Sequence, residues 1–236
     1  MGGALGWGAV AASSLVIGAL LGLARSWSAQ LIGLILAFGA GALVSAVSFE
    51  LWEEGADEGS IRSVAFGLAA GALVYFTLAR AIDRRSEPSA AGQDSGAALA
   101  LGALLDGIPE QAVLGIGLGS GEAVSIGLLV AIFVSNLPEA IGSSSDMLAA
   151  GRPQGFILRL WLGVAAICTV STVAGYAIAD ATGGELKAAI NGFAAGALLV
   201  MLVDSMIPEA TEKVGRRAGL ATVLGFALAA GLSSVS

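Results

Sequence analysis

Eight stretches of this chain are each about long enough, and apolar enough, to cross a hydrocarbon core, which takes roughly 20 residues. They lie near Ala4–Ala24, Leu31–Trp52, Arg62–Ile82, Ala97–Leu118, Ala123–Met147, Phe156–Ala179, Ala188–Ile207 and Gly219–Val235. Within hydrocarbon no water can satisfy a backbone N–H or C=O, so such stretches must be helices that close their hydrogen bonds internally. The expected fold class is an all-α polytopic membrane protein with eight transmembrane helices, one transmembrane domain over residues 1–236. Charged residues make up 12% of the chain, about half the ~25% of soluble domains. The 35 glycines suit helices that pack closely through small residues. Met1–Gly8 lacks a charged leader, so the first stretch is expected to stay as a span rather than be cleaved. Only Asp83–Ser95 (83–95), with Arg84, Arg85, Glu87 and Pro88 among Ser, Gly and Gln, reads as a long flexible loop.

Alternating spans put nine basic residues on one side: Arg25, Arg80, Arg84, Arg85, Arg152, Arg159, Lys213, Arg216 and Arg217. The other side receives two, Arg62 and Lys187. Cytoplasmic loops carry the Lys/Arg excess. The expectation is a multi-pass protein of the plasma (inner) membrane with both termini outside the cytoplasm, and with 83–95 cytoplasmic. Sliding the chain by 155 positions lays Phe38-Gly39-Ala40-Gly41-Ala42-Leu43 over Phe193-Ala194-Ala195-Gly196-Ala197-Leu198, and Glu54 over Glu209. The second and seventh spans are expected to run in opposite directions, so the pair would be an inverted repeat of the kind found in secondary transporters, the alternative being a chance likeness of Gly/Ala/Leu-rich helices.

Against this background two segments stand out, Asp106-Gly107-Ile108-Pro109-Glu110 and Ser135-Asn136-Leu137-Pro138-Glu139. Each sets a carboxylate near mid-membrane, which costs at least ~2.5–3.5 kcal/mol on insertion scales and marks a functional position. Each proline lacks an N–H, freeing the carbonyl of Leu105 or Val134 as a further oxygen. Asp106 and Glu110 are four apart, as are Ser135 and Glu139, so each pair shares a helix face, with Asn136 one step round. Three carboxylates brought together repel and resist desolvation; a divalent cation relieves both costs. Glu50, Glu53, Glu54, Asp57 and Glu58 cluster at the outer end of the second span, as a vestibule or as a solvated loop. Asp204 and Glu209 lie toward the inner end of the seventh, with Pro208 between them. An acidic mouth, a mid-membrane site and an acidic exit make a cation path. Trp7, Trp27, Trp52 and Trp161 fall near span ends, where interfacial aromatics are expected.

Other classes are disfavoured. No basic face exists for nucleic acid. The chain has no histidine and one cysteine, Cys168, which removes imidazole and thiolate-cluster metal sites as well as Ser-His nucleophilic catalysis. An intramembrane hydrolase using Asp106 and Glu110 as acid and base is the weakest rival, so the chain is not expected to be an enzyme.

At these residues the chain resembles the ZIP (Zrt/Irt-like) metal-ion transporter family, as a histidine-free, divergent member. That family's fourth span reads His-Asn-x-Pro-Glu-Gly, matched by Asp106-Gly107-Ile108-Pro109-Glu110-Gln111; its fifth has a related Pro-Glu stretch, matched at Ser135–Glu139; its seventh has polar residues before Ile-Pro-Glu, matched at Asp204–Glu209. The resemblance covers essentially the whole chain. It implies eight spans arranged three, two and three, and a binuclear site between the fourth and fifth spans. Asp106, Glu110, Ser135 and Glu139 match one metal position. The other uses an asparagine, here Gly107, and a sixth-span glutamate, aligned here with Cys168; Asn136, Glu110 and Glu139 remain for it. One well-formed site and a weakened second are expected. The cargo would be a divalent metal moved toward the cytoplasm, Zn, Mn, Fe(II) or Mg; oxygen ligands favour the harder ions over zinc. Glu50 and Glu54 would admit the ion, and Asp204 and Glu209 would release it. No resident cofactor is implied. The partners are the metal ion and the lipid bilayer, and a homodimer is compatible. A non-transporting metal-binding or sensing protein with a degenerate site is the alternative.

Overall fold

The computed structural model describes residues 1–25, 27–86, 95–119, 126–179 and 183–233, and backbone alone at 82–86, 95–103, 105 and 106. Among the described residues there is no strand, and the chain forms eight long helices. These are α1 (Gly2–Ala24), α2 (Ala29–Glu58), α3 (Ile61–Ser86), α4 (Ser95–Gly119), α5 (Ile126–Ala149), α6 (Gln154–Ala179), α7 (Gly184–Val214) and α8 (Arg217–Ser233). Six described helices, α1, α2, α3, α5, α6 and α7, are long and apolar enough to cross a membrane. The chain is thus organised as an α-helical polytopic membrane protein. The remaining two are α4, 25 residues long, and α8, apolar but 17 residues long.

Helix ends follow local chemistry. Ser28 caps α2, its Oγ accepting from the Leu31 N–H at 3.2 Å. Gly215, at φ +59°, ends α7 in a backbone conformation that side chains disfavour. The acidic segment after Trp52, read as a vestibule or as a solvated loop, remains helical to Glu58. α3 likewise continues to Ser86, and residues 87–94 of the expected loop lie outside the described residues. Trp161 faces the bundle rather than its surroundings: it is 1% exposed, packed with Leu15, Met147 and Ile157 where α1, α5 and α6 meet.

The packing carries the same offset as the sequence. α2 lies along α8 and α7 along α3, while α4 pairs with α6 and α1 with α5. A Cβ on Gly41 of α2 would collide with the Thr222 carbonyl and the Phe226 nitrogen of α8. A Cβ on Gly196 of α7, 155 positions later, would collide with the Leu68 carbonyl and the Ala72 nitrogen of α3. Reciprocally, Gly225 abuts the Phe38 carbonyl and Gly71 the Phe193 carbonyl. Both pairs are therefore backbone-on-backbone contacts that only glycine allows. At the shared register each helix also widens into a π turn, over Ala46–Glu53 in α2 and Leu202–Met206 in α7. Pro208 closely follows the second, but α2 widens with no proline nearby, so proline is not the common cause.

These contacts predict matched losses of stability. Gly41→Leu and Gly196→Leu should each destabilise the protein by about 1–3 kcal/mol or more, the scale of overpacking a closed interface. Gly163→Leu, where a Cβ meets nothing within 4 Å, should be near neutral. Thermal unfolding in detergent measures all three.

Candidate metal centre

The two prolines leave α4 and α5 continuous, with Pro109 and Pro138 inside their helices. Glu110 and Asn136 are thereby held on facing helices at the same depth. The Asn136 amide Nδ2 donates to Glu110 Oε2 at 3.3 Å, and the two residues are 2% and 1% exposed. A carboxylate this deeply buried is stabilised only by polar partners or a cation. Ser135, also buried, gives its hydroxyl hydrogen to the Ile132 carbonyl at 3.0 Å, which leaves its oxygen's lone pairs as acceptors.

These groups line one narrow pocket of about 20 Å3. α4 contributes Glu110; α5 contributes Ser135, Asn136 and Glu139; α7 contributes Met201, Ser205, Met206 and Glu209; α2 contributes Leu36. The π turn accounts for the α7 face. An i→i+5 turn lets residues five apart share a side, so Met201 and Met206 both reach the pocket along with Ser205 and Glu209. Glu209 is half exposed and pairs with Lys213 at 3.5 Å. An exposed i,i+4 pair of this kind is worth only ~0.3–0.5 kcal/mol, so the carboxylate can turn toward an arriving cation at little cost.

Five of the nine sequence-derived residues thus come together: Glu110, Ser135, Asn136, Glu139 and Glu209. Asp204 is exposed and does not line the pocket. Glu50 and Glu54 sit on the π turn of α2 and just beyond it, at the opposite end of the bundle, where Glu50 Oε1 accepts from Ser233 Oγ at 2.7 Å. The Asp106 side chain lies outside the described residues. Among the described residues no three His, Cys, Asp or Glu groups converge tightly enough to cage a metal ion unaided; the rest of the polar lining is the Asn136 amide and the Ser135 and Ser205 hydroxyls. The Val134 carbonyl freed by Pro138 is covered rather than offered to the pocket: a Cβ on Gly39 would lie 3.2 Å from it and 3.1 Å from Met206 Cε.

Ser205 is the lining residue that sequence reasoning misses. Its signal is the motif Ser-x-x-Pro-Glu, which occurs at Ser135–Glu139 and again at Ser205–Glu209. Gly107 and Cys168, which the resemblance aligns with ligands of a second metal position, pack directly against each other. A Cβ on Gly107 would lie 2.6 Å from Cys168 Sγ, and Cys168 is fully buried. One turn further along both helices, Thr172 Oγ1 donates to Gln111 Oε1 in the same α4–α6 seam.

No family model matches the chain. It is similar to a protein of Arabidopsis thaliana named "Putative zinc transporter", with 30% identity over 193 residues. The match covers 78% of this chain and 30% of that protein, so the chain spans less than a third of the relative's length.

The Gly107–Cys168 contact makes a direct prediction. Gly107→Ala alone should destabilise, and Cys168→Ala should relieve much of the loss, a coupling of ~0.5–3 kcal/mol for residues in contact. A double-mutant cycle on unfolding in detergent reads it.

Proposed function

We propose that this chain is a membrane transporter of a divalent metal cation, a histidine-free relative of the ZIP transporters, with eight spans (α1–α8) arranged three, two and three. The single observation that carries the reading is the pocket in which Glu110, Glu139 and Glu209 share a lining with Ser135, Asn136 and Ser205 inside a largely apolar bundle. Oxygen donors of this kind suit Mn, Fe(II), Mg or Zn, with the harder ions favoured. The name of the Arabidopsis thaliana relative supports metal transport as the class. Asp106, one helical turn from Glu110, is proposed to complete the donor set.

The proposed direction is inward. The pocket is lined by the last third of α7 and the first third of α2, and the Lys/Arg excess of the chain gathers at that end. By the positive-inside rule it is the cytoplasmic one, with both termini outside and the membrane that of the cell surface. Glu50 and Glu54 then face the supply side, and Asp204 and Glu209 the release side. The fold's repeat supports alternating access, in which α2 and α7 rock against α4 and α5. With Cys168 filling the space beside Gly107, a single ion is carried at a time. No enzymatic activity is proposed.

A second reading, metal binding without flux, draws on the absence of a three-carboxylate cage among the described residues. Uptake of a panel of divalent metals into proteoliposomes separates the two. The transport reading expects flux that Glu110→Gln and Glu139→Gln each lower by about tenfold or more, the scale of losing groups that hold a metal. Metal binding with no flux in the unmodified protein would establish the second reading instead.

A further inference from the structure

The pocket opens toward one end of the bundle. Between it and Glu50 along α2 lies Leu43, which shares one buried apolar cluster with Ile132 and Leu198, none more than 1% exposed, and these form an apolar seal. At the far side of that seal three helices are pinned at one point. Glu50 Oε1 on the π turn of α2 accepts a hydrogen bond from Ser233 Oγ of α8 at 2.7 Å. Gly127, in the first turn of α5, backs the pair: a Cβ there would lie 2.6 Å from Glu50 Oε1 and would collide with Ser233 Oγ. Both glutamate and serine are half-buried.

We propose that the Glu50–Ser233 hydrogen bond, seated against Gly127, is the latch that holds the outer side of the transport path shut, with Ser233 the residue that positions Glu50. This rests on the transport reading above. The 155-residue offset tells what the latch restrains. It maps Ala46 onto Met201, Glu50 onto Ser205, Leu51 onto Met206 and Glu54 onto Glu209. The four α7 residues line the open pocket; their four α2 counterparts are the lining of its twin, formed when the other end opens. In the present state Glu50 is turned to α8 instead. An arriving cation competes with the Ser233 hydroxyl for the same carboxylate oxygen, so the ion itself releases the latch. Charge-assisted bonds of this type are the stronger class, yet one is weak enough for a divalent ion to replace.

The test introduces Ala46→Cys at a position 1% exposed and measures labelling of the new thiol by a membrane-impermeant maleimide added outside intact cells. Native Cys168 is fully buried, so the protein without the substitution serves as the blank. With Ser233 present, the introduced thiol should be protected. Ser233→Ala should raise its labelling rate about tenfold or more, the scale of one lost charge-assisted hydrogen bond. Gly127→Ala should do the same by wedging the pair apart, and Ser233→Thr, which keeps the hydroxyl, should restore protection. In proteoliposomes Ser233→Ala should also lower KM for external Mn(II) several-fold, because the outward-competent state is more populated. Labelling unchanged in Ser233→Ala, or raised by Gly127→Ala alone, overturns the latch. A protein that moves no metal but shows the labelling pattern keeps the latch and loses the transport reading; one that moves metal without the pattern does the reverse.

Discussion

Backbone approaching backbone is the contact on which this architecture rests. Between helices in lipid there is little hydrophobic gain, since lipid tails are as apolar as the side chains they would replace, and association depends on close packing. Gly41 and Gly225 join α2 to α8, and Gly196 and Gly71 join α7 to α3, each against a carbonyl of the neighbour. Because these seams admit no side chain, α2 and α7 are fixed in depth and rotation. That fixes in turn where Leu36 and the π turn of α7 meet α4 and α5. The polar pocket is thus a consequence of apolar packing elsewhere.

Within the pocket the polar groups are arranged so that no single helix carries the site. Glu110 alone would be a buried charge of high cost. The Asn136 amide from α5 offsets part of that cost, and the serine oxygens of α5 and α7 add neutral acceptors. Repulsion is moderated by position: Glu110 is deep, Glu139 half-buried and Glu209 at the mouth beside Lys213. Under the proposed function a cation moving along this line would meet a carboxylate at each depth, without three negative charges having to coexist at one point.

Much of this is legible in the sequence, for identifiable reasons. Apolar length announces a span because lipid tolerates no unpaired backbone, and the Pro-Glu stretches stand out because acids are rare in such spans. Glu110, Ser135, Asn136, Glu139 and Glu209 meet in one pocket because their residue types and spacings repeat on facing helices. Ser205 rather than Asp204 lines the pocket because a π turn changes which residues share a face, and the sequence of α2 and α7 carries no marker for it. The partner of Glu50 is 183 positions away, beyond the reach of any local pattern. Trp161 misleads for a simpler reason: tryptophan favours interfaces, but its ring is drawn into the core where α1, α5 and α6 meet.

The paired π turns have a consequence beyond the pocket. Relative to an α-helix a π turn is one residue too many, an insertion that interrupts the regular ladder. Here the interruption falls at the same register in two segments that share a glycine pattern, a packing partner and an acidic residue beyond the turn. Because α2 and α7 run in opposite directions, the two interruptions fall on opposite sides of the bundle's middle, one beside the pocket and one beside Glu50.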